Sequence, residues 1–218
     1  MSIPRKMSIE TQLAAKEPKR ARGKLRVAAL LDAGAALFAE KGYEATTMTE
    51  IAQRSGAAIG SLYQFFPSKD ALAEALFNRY AERTATALQH VVDRAPGLSS
   101  APLADLLVDY KLALRSDRDA VVDFSSSIAA VVERRKPLRD AVRREIAAIL
   151  RSANDGLTDE QATAAAVMIG EIMKTVPMLA KAEEDSRLPL IIQARTALAL
   201  YIERVLDAGA VRRRGGRS

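Results

Sequence analysis

Apolar residues recur every three to four positions along almost the whole chain, and no alternating run long enough for a strand interrupts them. From about Leu25 to Lys41, one stripe holds Val27, Leu30, Leu31, Gly34, Ala35 and Phe38, and Gly42 follows as a stop. Thr47-Met48-Thr49-Glu50 has the spacing of a capping box, so a helix opens there; Ser55-Gly56 makes it short. A second short helix is predicted from about Ile59 to Phe66, with Leu62 and Phe66 buried. After Pro67, Ser68 caps a long helix reaching about Asp93, with Leu72, Leu76, Tyr80, Leu88 and Val91 inward; Ala95-Pro96-Gly97 breaks it.

The remainder reads as five helices. Pro102 suits the first turn of one that ends near Arg115. The next is predicted from Asp117 to Arg134, burying Val121, Phe124 and Ile128. Pro137 is expected to open a third, which Asn154-Asp155-Gly156 stops. Thr158 to Gln161 is a second capping box, opening a helix to about Glu183 with a kink at Pro177. The last helix runs from about Leu188 to Ala208. The expected fold class is all-α.

Composition narrows the function. Hydrophobic residues make up 49 % of the 218 and charged residues 28 %, which supports a packed core. There is no cysteine and one histidine, His90, in a polar stretch without a motif. Thiolate or histidine-cluster metal sites, a cysteine nucleophile and a conventional triad are therefore not expected. With no glycine-rich phosphate loop either, catalytic residues, metals and cofactors are all read as none, and the chain is not expected to be an enzyme. No uninterrupted apolar run near 20 residues and no apolar leader are seen, so a cytoplasmic protein without a membrane partner is expected.

Charge is uneven. The net +6 of the chain combines +6 in residues 1–26 and +4 in residues 212–218 with −4 in the body between them. Basic ends on a mildly acidic body suit a partner that is a polyanion. Residues 1–23 are expected to be a disordered basic arm, and Lys19, Arg20, Arg22 and Lys24 its nucleic-acid contacts; 212–218 is read as a basic tail.

A short helix, a turn at Gly56 and another short helix form a helix-turn-helix pattern, in which one helix braces a second that enters the major groove. The stretches FAEKGYEATTMTEIAQRSG (38–56) and GSLYQFFPSKDAL (60–72) closely resemble the TetR family of bacterial transcriptional regulators, over roughly residues 24–84. The resemblance implies a three-helix DNA-binding head within 24–68 and a helical ligand-binding and dimerisation domain within 69–211. Thr47 and Thr49 match positions that hold phosphates; so do Tyr63 and Lys69. Gly60 matches a glycine that lets backbone approach DNA. Ile59, Ser61, Gln64 and Phe65 fall at groove-facing positions. The Gln64 amide can pair bidentately with adenine. Two residues depart from the family pattern: Ala58 replaces the usual Ser or Thr cap, and Ile59 stands where Lys is common.

For the second domain, Tyr110, Phe124, Met168, Met173 and Met178 are expected to line a pocket for an apolar small-molecule effector. Small and branched residues toward the C-terminus, including Ala164, Ala165, Ala166, Gly170, Ala194 and Ala197, suit a four-helix homodimer interface. The function implied is a ligand-responsive dimeric repressor on a palindromic double-stranded DNA operator. The alternatives are a regulator of the same fold without small-molecule control, architectural or protein-regulated, and, from another class, a helical enzyme or lipid carrier.

Overall fold

A computed structural model describes residues 21–122, 124 and 126–215, and they form helices with no strand among them. In chain order these are α1 (Ala21–Lys41), α2 (Met48–Ser55), α3 (Ile59–Phe65), α4 (Lys69–Arg94), α5 (Ser100–Ala113), α6 (Arg115–Val122), α7 (Ala129–Ala153), α8 (Asp159–Leu179) and α9 (Glu184–Gly215). Their residues divide into two compact units. One holds the described residues up to Tyr80 together with Ser116–Glu133; the other holds Ala81–Arg115 and the chain from Arg134 onward.

Within the first unit, α1 packs on α2 and α2 on α3. Leu30, Phe38, Ile51, Leu62, Phe66, Leu72 and Leu76 are almost completely buried, so every helix from α1 to α4 contributes its apolar stripe to this core. Gly34 lets α1 and α4 close up: a Cβ there would stand 2.7 Å from Leu72 Cδ2. Phe124 completes the cluster, its ring 5.5 Å from both Phe38 and Tyr43.

In the second unit, α5 packs on α8 and α9, and α8 on α9. By length and apolar composition α8 could cross a membrane. Yet Ala162, Ala165, Ala166, Ile169, Met173 and Val176 are buried in this unit's core, and a Thr158–Gln161 capping box closes its start. Arg143 on α7 donates to Glu171 on α8 at 3.0 Å, and Arg195 on α9 donates to Asp105 and Asp109 on α5.

Several elements differ from the sequence expectation. Residues 21–23 of the expected arm are helical, because α1 begins four residues before Leu25; Lys19 and Arg20 lie outside the described residues. The helix predicted over 117–134 is two helices. The first ends at Val122 and the second begins at Ala129; before it the Ser127 and Ile128 amides both return to the Phe124 carbonyl (3.0 and 3.2 Å). Pro137 does not open α7 but lies inside it, at an exposed position, so the lost amide bond occurs where water can serve the Glu133 carbonyl. At the C-terminal end, α8 stops two residues after Pro177, and α9 starts at Glu184 and runs beyond Ala208 into the expected basic tail.

Candidate nucleic-acid interface

The geometry of α2 follows from its ends. Thr47 Oγ1 accepts the Glu50 amide at 3.3 Å while Glu50 Oε2 accepts the Thr47 amide at 2.9 Å, closing both arms of the capping box. Lys41 from the end of α1 donates to the other Glu50 oxygen at 2.5 Å. The Lys41 ammonium and the Thr47 hydroxyl hold the Glu50 carboxyl down at about 2, so it is charged and already neutralised at physiological pH. A phosphate approaching the start of α2 therefore meets amide dipoles and no net negative charge. Gly56, at φ 66°, turns the chain out of α2; its amide and that of Ala57 return to the Gln53 and Ala52 carbonyls. The Arg54 guanidinium grips both Glu40 oxygens, at 2.5 and 2.6 Å, tying α2 to α1.

The helix that follows is held from one side only. Leu62 and Phe66 are fully buried, and the Phe66 amide returns to the Leu62 carbonyl at 2.8 Å. On the outer side Ile59 is 41 % exposed and Tyr63 49 %, with Gly60 and Gln64 exposed between them; Ser61 and Phe65 are half-buried at the edges. Gly60 has an ordinary backbone and nothing within 4 Å of a would-be Cβ. Glycine in a helix interior costs about 1 kcal/mol relative to alanine. The fold of this chain leaves room for a side chain at this position. Ala58 at the N-cap provides no side-chain bond.

Thr49 is exposed on the first turn of α2, beside Thr47, whose hydroxyl is engaged in the capping box. Lys69, which the resemblance gives to a phosphate, has internal partners in this structure. Its ammonium donates to the carbonyls of Tyr43 (2.8 Å), Thr46 (3.2 Å) and Glu44 (3.3 Å) and stands 4.2 Å from the Tyr43 ring centroid. It therefore closes the turn between α1 and α2 from within. Burial, with the bond from its hydroxyl to Asp70, pushes the Tyr43 phenol well above its usual range.

Sequence reasoning missed Arg26. Exposed on α1, it directs Nη1 to Ser61 Oγ of α3 at 3.5 Å, across 35 residues of chain. The run Lys19 to Arg26 is rich in good helix formers, and that propensity was the available signal. Gly23 within it obscures where the helix begins.

The five residues expected to line an effector pocket differ in burial and in the unit that holds them. Tyr110 and Met173 are buried in the second unit, whereas Met168 is 48 % and Met178 67 % exposed. Five-residue spacing turns each methionine about 140° around the helix from the last, which sets Met173 inward and leaves Met168 and Met178 outward. Phe124 lies in the first unit, against Phe38 and Tyr43. Among the described residues no group of three His, Cys, Asp or Glu side chains is placed to hold a metal ion.

Residues 30–76 match the family model described as bacterial regulatory proteins, tetR family. The chain is similar to the HTH-type transcriptional repressor KstR2 of Rhodococcus jostii (strain RHA1), 32 % identical over 104 residues, which is 47 % of this chain and 50 % of the relative. The chain thus spans about half that relative's length. A transcriptional regulator from Rhodococcus sp. Rha1 shares the fold with a TM-score of 0.65 at 18 % identity, covering 84 % of this chain and 96 % of the other. A gamma-butyrolactone receptor described as ArpA-like does so with a TM-score of 0.56 at 20 % identity, over 82 % and 98 %.

Proposed function

We propose that the chain is a member of the TetR family, whose model matches residues 30–76, and a dimeric transcriptional repressor, not an enzyme, that leaves its operator when a small molecule binds. The observation that carries this reading is α3. Its inner residues, Leu62 and Phe66, anchor it completely, while Ile59, Gly60, Tyr63 and Gln64 face outward. A braced helix with such an outer face suits the major groove, and a second copy is needed to read half-sites roughly 34 Å apart.

For the homodimer, the support comes from α8 and α9. Ala165, Ala166, Ala194 and Leu198 are buried within their own unit, but Met168, Leu188, Ile192 and Leu200 are 48–67 % exposed. Burying such residues against their copies favours association. An effector in the second unit would lower operator affinity by a coupling of ~1–3 kcal/mol. The gamma-butyrolactone receptor of the same fold makes a small molecule the first class to test. The outward placement of Met168 and Met178 favours, as a second reading, a regulator of this fold without such an effector. The protein would act in the cytoplasm, where its operator is.

The test is a binding titration of the purified protein on the DNA flanking its own gene. Gln64→Ala should flatten preference at one position per half-site by ~1–3 kcal/mol, and Tyr63→Ala should weaken all sequences alike. Absence of any sequence-selective binding by the wild-type protein would exclude the reading. Release of bound DNA by an apolar compound library would separate the ligand-controlled form from the other.

A further inference from the structure

The recognition surface described above has no cation of its own. From Ile59 to Phe65, α3 contains no Lys or Arg. Most of the first unit's described cations are engaged internally: Lys41 with Glu50, Arg54 with Glu40, Arg79 with Asp32, Arg118 with Asp119, and Lys69 with three carbonyls. Arg22, Lys24 and Arg26 remain, all exposed and, among the described residues, with no carboxylate partner. Because α1 begins at Ala21, these three are in its first two turns, and Arg22 and Arg26 share a face at the four-residue spacing.

Arg26 differs from the other two in being directed to α3. At 3.5 Å from Ser61 Oγ its bond is at the outer limit of hydrogen bonding, so the guanidinium is positioned without being sequestered. Resting on the DNA-binding reading, we propose that Arg26 is a specificity residue of this protein: it supplies from α1 the guanidinium that α3 lacks and reads a guanine at the edge of the α3 footprint. The chemistry is the bidentate fit of a planar fork to guanine O6 and N7. Ser61 positions the fork, and Arg22, one turn away on the same face, serves the neighbouring phosphates.

The experiment selects binding sites from a random-sequence duplex pool with the wild-type, Arg26→Ala, Ser61→Ala and Gln64→Ala proteins, and titrates the winners. Thermal midpoints are measured alongside, and Arg26→Ala should leave the midpoint unchanged because the side chain is exposed. The expected result is loss of a guanine preference at one position per half-site, by roughly ten- to a hundredfold, at a position other than the one Gln64→Ala affects. Ser61→Ala should weaken the same guanine preference. An Arg26→Ala protein that binds every duplex more weakly by one common factor would make Arg26 a phosphate contact and overturn the proposal, as would binding equal to wild type. If the wild-type protein selects no sequence, the function itself fails; if it selects a site and Arg26→Ala selects the same one, only this inference does.

Discussion

Replacing Lys69 by Met keeps the aliphatic stem and removes the ammonium that closes the turn between α1 and α2. Hydrogen bonds from a charged donor contribute about 1.5–3 kcal/mol. The 2.8 Å bond to the part-buried Tyr43 carbonyl belongs in that range. Those to Thr46 and Glu44, at 3.2 and 3.3 Å, contribute only a fraction, because water replaces the ammonium at the exposed Glu44 end. Loss of the cation–π contact adds about 0.5–1 kcal/mol. The variant should therefore be about 3 kcal/mol less stable, lowering the thermal midpoint by roughly 6–12 °C for a chain of this size. Circular dichroism melts measure the loss, and exchange of the Thr46 amide, bonded to the Tyr43 carbonyl, localises it. DNA binding well below the midpoint should keep its salt dependence. One phosphate contact per subunit would instead reduce the slope of log affinity against log salt by about two. An unchanged midpoint with a reduced slope would refute the internal role and restore Lys69 as a phosphate contact.

Three further outcomes are expected. Glu50 has a carboxyl held below its unfolded value, so it stabilises the folded form above about pH 4.5 and loses that contribution as pH falls toward about 2. Urea midpoints at pH 6 and pH 2 should differ more for wild type than for Glu50→Gln, and equal differences would count against the capping-box account. Phe124→Ala leaves a void against Phe38 and Tyr43 and should destabilise the first unit by about 3–5 kcal/mol, read from denaturant unfolding. Ala58→Ser supplies the missing α3 cap and should raise stability by about 0.5–2 kcal/mol; no gain in the melt would mean the Ala58 backbone cannot present the hydroxyl to the α3 amides.

What could be read from the sequence was local. Thr47, Glu50 and Gly56 are within nine residues of one another and specify both ends of α2, and the burial of Leu62 and Phe66 follows from helical spacing. Pro137 misled because a proline, though costly in a helix interior, is accommodated there when the rest of the helix is held by packing and the freed carbonyl is exposed. The bonds of Lys69 reach back 23 to 26 residues, and Arg26 meets Ser61 across 35. No periodicity carries such information. The methionines were grouped by chemistry, whereas their faces are set by angle.

Phe124 bears on how such proteins can be recombined. A graft that moves the helix-turn-helix part as one continuous piece, ending at Tyr80, would leave this ring behind and uncover Phe38 and Tyr43. A chimaera that keeps this core whole must therefore carry two stretches of this chain, the second centred on a single phenylalanine more than forty residues past the first.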